Sequence, residues 1–176
     1  MWESYKRGYK AYLQLEKSLS DNSVEAYLRD IEKLTQFLQE KHSMKTPAEI
    51  ELNDLQLFIK WVGELRLTAS SQARMISGIR SFYKYCQGEK ILKKDPTLLL
   101  EAPKLKRVLP ETLVFEEIEK IIGQIDLSTP EGGRNKAILE TMYSCGLRVS
   151  ELVNLRLSCL YPEVGFIRVI GKGDKE

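Results

Sequence analysis

The feature that most constrains this chain is a helical hydrophobic period, clearest in SSQARMISGIRSFYKYCQ, residues 70–87. At about 100° per residue, Met75, Ile76, Ile79, Phe82, Tyr83 and Cys86 gather within about 120° of arc. Ser70, Arg74, Ser77, Arg80, Ser81 and Lys84 gather on the other side. One face must be buried, so other helices have to cover it.

Three earlier segments supply them. Residues 2–17 carry Trp2, Tyr5, Tyr9, Tyr12 and Leu13 at helical spacing. Asn22-Ser-Val-Glu25 has the form of a capping box and predicts a helix to about Glu40. Its apolar face holds Val24, Tyr27, Leu28, Ile31, Leu34 and Leu38, with Arg29 and Lys33 opposite. Thr46-Pro-Ala-Glu49 repeats the signal with proline at the first helical position, and DLQLFIKWVGEL follows as a third apolar-faced helix. The chain's 43% hydrophobic and 30% charged residues suffice for a buried core inside a soluble surface.

Pro96, Pro103 and Pro110 then break the helical pattern, with Lys104, Lys106 and Arg107 among them. The stretch DPTLLLEAPKLKRVLPETL therefore reads as a basic interdomain linker. The segments FEEIEKIIGQI and RNKAILETMYS predict two more helices. Gly146 reads as a helix stop and Val149–Leu155 as the next start, which puts Arg148 in or beside a first turn. A cation there is disfavoured by roughly 0.3–1 kcal/mol, so an anion is expected beside it. The β-branched run VGFIRVI predicts a strand, and GKGD the turn of a hairpin.

Charge is uneven. The net charge is only +2, yet from Arg66 to Lys94 seven bases face one acid, Glu89. Such an excess suits a polyanion-facing surface. On the polar face of residues 70–87 two readings stand side by side: an ordinary solvated surface, or DNA contact. The second draws on the absence of acids within that face and on hydroxyls that let a helix backbone approach phosphates.

Other chemistries are excluded by residue type. The single histidine, His42, has no ligand-type neighbours at metal-site spacing and cannot support a histidine-based nucleophilic triad. GFIRVIGKG departs from a phosphate-binding loop in spacing and lacks the hydroxyl residue that holds magnesium. No apolar run reaches the ~18–20 residues of a membrane span, and the amphipathic N-terminus is unlike a signal peptide. Three scattered cysteines (Cys86, Cys145, Cys159) argue against a disulfide framework, so a cytoplasmic setting is expected. Arg148 and Lys172 remain. Each alone reads as a surface cation; together they suggest two cations around one phosphate.

Over nearly its whole length the sequence resembles the tyrosine recombinase (phage integrase) family, and its Xer-type bacterial members most. LSDNSVEAYLRDIEKLTQFL and SSQARMISGIRSFYKYC look like two helices of the family's core-binding domain. GLRVSEL followed by VIGKGDKE looks like the opening of its catalytic domain. The resemblance implies a mainly α chain: a four-helix, SAM-like core-binding domain over residues 1–102, a basic linker over 103–112, and the start of an α+β catalytic domain with a small β-hairpin over 113–176. It also implies cleavage of double-stranded DNA at a recombination site through a 3′-phosphotyrosyl link, without metal or other cofactor, by a tetramer spanning two sites. Arg148 would be the first catalytic arginine, Lys172 the hairpin lysine that protonates the leaving oxygen, and Glu151 the acid supporting the arginine. DNA contacts are expected from Arg29, Lys33, Arg74, Ser77, Arg80, Lys84, Lys104, Lys106 and Arg107.

The family's later histidine, His-x-x-Arg motif and nucleophilic tyrosine have no match in this sequence. The expectation is thus a truncated recombinase that binds DNA but does not cut it, whose parent resolves chromosome dimers or moves a mobile element. A non-catalytic accessory module occupying recombination sites is the alternative, and a helical interaction domain a third. An end inside a hairpin, with strand hydrogen bonds unpaired, is expected of a truncated terminus.

Overall fold

Capping chemistry sets where several of the helices begin. The computed structural model describes residues 2–105, 109–171 and 176. It is mainly helical, with one small antiparallel sheet, and its chain divides into two units, residues 1–108 and 109–176.

In the first unit, α1 (Trp2–Ala11) runs into a π turn over Tyr12–Glu16. Helix α2 spans Asp21–Glu40, so its cap is Ser20 and not Asn22, with Ser20 Oγ 3.0 Å from Ser23 Oγ. The Thr46–Glu49 capping box forms but closes only a short 3₁₀ turn, Pro47–Glu49. In α3 (Leu52–Glu64) Asp54 caps in turn, accepting the Glu51 backbone N–H at 2.9 Å. Helix α4 (Ala69–Gly88) is capped by Thr68, whose Oγ1 accepts the Ser71 N–H at 3.3 Å. Helices α2 and α4 both end in Schellman turns through left-handed residues. His42 (φ 51°) and Lys90 (φ 57°) stand where glycine is usual, and Ser43 N–H and Ile91 N–H bond back to Leu38 and Cys86.

The core forms between these helices. All six apolar residues expected of α4 are buried, as are Val24, Ile31, Leu34 and Leu38 of α2, while Tyr27 and Leu28 are half-buried. Leu55, Phe58 and Val62 of α3 and Tyr9 of α1 complete it, with Tyr9 edge-on to Phe82 at 5.3 Å. The stretch from Asp95, whose prolines read as linker although the resemblance places residues up to 102 in the first domain, packs on this unit: Thr97 and Leu100 are buried. Asp95 folds the turn by accepting the Thr97 N–H at 2.8 Å.

Helix α4 meets the Asp30 side chain of α2 tightly at Gly78. A Cβ there would lie 2.0 Å from Asp30 Oδ2 and 2.8 Å from its Cγ. Asp30 is 1% exposed and is held by Arg74, one turn before Gly78. Arg74 Nη1 donates to Asp30 Oδ2 at 3.0 Å, and Nη2 donates to Oδ1. Burial pushes the Asp30 carboxyl up to about 6, although the hydrogen bonds and charge of Arg74 pull it down. A raised folded value means that this group favours the fold most below about 3.8, and that its contribution is lost as pH rises toward 6.

The second unit holds α5 (Phe115–Gly123), α6 (Pro130–Cys145), the short α7 (Val149–Val153) and a 3₁₀ turn, Leu157–Cys159. Helix α6 starts before the predicted segment because Thr129 caps it, accepting the Gly132 N–H at 3.1 Å with Pro130 at the first helical position. Strands β1 (Leu160–Tyr161) and β2 (Phe166–Ile167) pair antiparallel. This hairpin lies ahead of the apolar run and was not expected from the sequence: its turn is Pro162–Gly165, where Gly165 takes φ 74° and Tyr161 stacks on Phe166 at 4.6 Å. Of GKGD only Gly171 is described.

Gly78→Ala tests the α2–α4 approach. The added methyl must displace the Asp30 carboxylate, so a loss of about 1–3 kcal/mol is expected in urea unfolding, despite alanine's better helix propensity.

Candidate active-site cleft and DNA-facing helix

Gly146 ends α6 in the left-handed conformation, φ 62°, and the chain turns at once into Arg148. Arg148 is not inside a helix's first turn. It is the residue flanking α7, with extended backbone, φ −74° and ψ 152°. Helix α7 has only five residues, so the expected dipole penalty has little to act through. The anion beside Arg148 is Glu151, which binds both its ends. Glu151 Oε2 accepts the Arg148 backbone N–H at 2.8 Å, and Oε1 accepts from Nη1 at 2.6 Å. Glu151's side chain is only 10% exposed and Arg148's is 73% exposed. The acid is therefore sheltered, and the guanidinium is presented outward on a braced stem. The Arg148 backbone N–H, then its guanidinium, hold the Glu151 carboxyl below the usual carboxylate range.

Both residues line an open cleft of about 600 Å³. Two further cations line it that sequence reasoning missed, Arg156 and Arg168. Arg156 precedes the 3₁₀ turn, and Arg168 follows β2, its backbone N–H donating to the Cys159 carbonyl at 2.8 Å. Arg168 Nε also lies 3.4 Å from Glu176 Oε1. The one sequence signal for Arg168 was its position as a cation inside an otherwise apolar run. Lys172 lies outside the described residues; Gly171, just before it, lines the cleft. No tyrosine is among the lining residues: Tyr143 is against Phe115 at 6.1 Å and Tyr161 stacks on Phe166. Among the described residues no group of three His, Cys, Asp or Glu is placed to hold a metal, and no helix is long and apolar enough to cross a membrane.

On the first unit, the polar face of α4 is less free of acids than its own sequence suggests. Arg74 pairs with Asp30, contributed by α2, a partner that a projection of α4 alone cannot reveal. Arg80 donates to the Leu100 carbonyl, tying down the segment after α4. The Ser77 hydroxyl donates back to the Ala73 carbonyl at 3.1 Å. Lys84 is exposed and makes no ion pair among the described residues. On α2, Arg29 bonds Glu25 at 2.8 Å and Lys33 bonds Gln36 at 3.1 Å, both exposed contacts that water and salt weaken. Lys104 is exposed, and Lys106 and Arg107 lie outside the described residues.

Residues 7–90 match the model of the phage integrase N-terminal SAM-like domain, and residues 111–176 match that of the phage integrase family. The chain belongs to the phage integrase family of tyrosine recombinases. It is 38% identical over 165 residues to a protein of Listeria innocua named tyrosine recombinase XerD, covering 94% of this chain and 56% of that one. The protein of the same name from Staphylococcus aureus is 40% identical over 171 residues, covering 96% and 57%. The chain thus spans little more than half the length of these relatives. In fold it is similar to an integrase from mycobacterium phage Brujita, with a TM-score of 0.54, 16% identity, and 99% of this chain and 56% of that one covered.

The brace on Arg148 is testable by acid titration. With Glu151 depressed, its support is fully present above the ordinary carboxylate range and is lost as pH falls through its lowered value. The Arg148 Nη–H resonances are expected to lose their hydrogen-bonded shift in that acid range, and Glu151→Gln to abolish the transition.

Proposed function

We propose that this chain supplies the DNA-binding unit and the first arginine-lined part of the catalytic cleft of a site-specific tyrosine recombinase. The observation that carries the reading is the cleft around Arg148, braced by Glu151 and joined by Arg156 and Arg168. Arg148 offers a planar fork of donors to the oxygens of a scissile phosphate. Because Glu151 fixes that fork beforehand, little reorganisation accompanies charge development in the transition state. Lys172, one residue beyond the cleft-lining Gly171, is proposed as the general acid that protonates the leaving 5′-oxygen.

The polar face of α4 and the exposed bases of α2 and residue 104 are proposed to lie along a DNA duplex as phosphate contacts. The whole protein would then cut and rejoin two duplexes through a 3′-phosphotyrosyl intermediate in a tetramer, serving chromosome dimer resolution or mobile-element integration in the cytoplasm. With no tyrosine lining the cleft, the 176-residue chain by itself is proposed to bind DNA without cutting it. The same observation favours the second reading, an accessory module that occupies recombination sites.

Two measurements test this. Duplex affinity of the chain should fall steeply with salt, with a slope of about 0.9 per phosphate contacted, and a nicked suicide duplex should yield no covalent adduct. A chimera in which this chain replaces the matching part of the S. aureus relative should form the adduct. Arg148→Ala in that chimera should slow adduct formation by about 10²–10³-fold. An unchanged rate would remove Arg148 from the chemistry.

A further inference from the structure

We infer that Asp30, buried beneath α4, is a positioning residue that turns the Arg74 guanidinium outward to grip a DNA phosphate. The inference rests on the proposed DNA-binding role of α4 and goes beyond it by assigning a task to an acid.

The geometry is asymmetric. Asp30's side chain is 1% exposed, whereas Arg74's is 54% exposed. The carboxylate takes one N–H from each of Nη1 and Nη2 in a two-pronged pair. A guanidinium has five N–H donors in one plane, so three are left for a second anion. Half of the side chain faces solvent, which makes room for that anion. Held this way, the guanidinium keeps little of the rotamer freedom that a free surface arginine loses on binding.

A purely structural role explains the arrangement less well. Burying a carboxylate costs more than burying an apolar residue of similar size, and replacing a buried ion pair by apolar residues is often neutral or stabilising, so stability alone is a weak reason to keep one. Here the partner is left half outside. Gly78 makes the niche for Asp30, since any Cβ at that position would occupy the space of the carboxylate. Elsewhere on these faces the cations are held differently: Arg80 on the Leu100 carbonyl, and Arg29 on the exposed Glu25. Among the described residues only Arg74 is a half-exposed cation fixed by a fully buried acid.

The sign of one substitution separates positioning from simple electrostatics. Asp30→Asn makes the chain more positive, so charge alone predicts tighter binding to any duplex. Positioning predicts weaker binding. With the full 176-residue chain and a mixed-sequence duplex, followed by fluorescence anisotropy across a salt series, Asp30→Asn is expected to weaken binding about tenfold. The salt slope should fall by about 0.9, one phosphate contact, while helix content by circular dichroism stays unchanged. The substitution should have no effect in an Arg74→Ala background. If Asp30→Asn fails to fold, Arg74→Lys provides the test: it keeps the charge and leaves Asp30 partnered, but loses the fork, and the same weakening is expected. Binding by Asp30→Asn or Arg74→Lys equal to or tighter than that of the unsubstituted chain overturns the positioning role. Absence of salt-dependent binding by the unsubstituted chain overturns both this inference and the DNA-binding reading.

Discussion

The ion pair between Asp30 and Arg74, seated at Gly78, is the polar contact that sets how α2 meets α4 in the first unit. A buried carboxylate has one acceptable position, opposite its guanidinium, and a shift along either helix would leave a charge unpaired in the interior. Apolar side chains alone tolerate sliding, because one methyl contact replaces another at little cost. The pair therefore fixes the register of α2 against α4. Those two helices carry Ile31, Leu34, Ile76, Ile79 and Phe82, around which α1 and α3 close.

The same pair lies where core and surface meet. Helix α4 buries one face and offers the other to solvent, and Arg74 reaches from the second toward an acid rooted near the first. The second unit repeats the arrangement on a smaller scale, with Glu151 sheltered, Arg148 exposed, and the acid fixing where the guanidinium points. In both places a carboxylate limits an arginine to one direction. That is the preparation a phosphate-binding surface needs, since flexible cations lose affinity to the entropy of being held. In the second unit, α7 is too short to supply a useful dipole, so the side chains carry the electrostatics.

Periodicity made much of this legible. The six core residues of α4 could be named from spacing alone, because a 3.6-residue repeat decides which side chains share a face. Gly146 as a helix stop and Arg148 as a singular cation could also be read locally. Asp30 could not. On its own helix it sits next to Arg29 in a polar stretch, and only the close approach at Gly78 explains its burial. The absence of acids on the α4 face was true of that helix and untrue of the folded unit, because the partner comes from 44 residues away. The hairpin at Pro162–Gly165 was not singled out, because two glycine-containing segments flank one apolar run and the second drew the reading. The turn at Gly165 closes it, with Tyr161 and Phe166 stacked across the pair. Arg156 and Arg168 were missed because isolated cations in mixed sequence carry no pattern until a cleft gathers them.

The most direct measurement is a carboxyl-carbon NMR titration of Asp30 in the unsubstituted chain. A carboxylate sealed under α4, with burial outweighing the pull of Arg74, should titrate near 6. A midpoint at the ordinary 3.8 that Arg74→Ala leaves unmoved would mean that Asp30 stays solvated and that the pair does not fix α2 against α4.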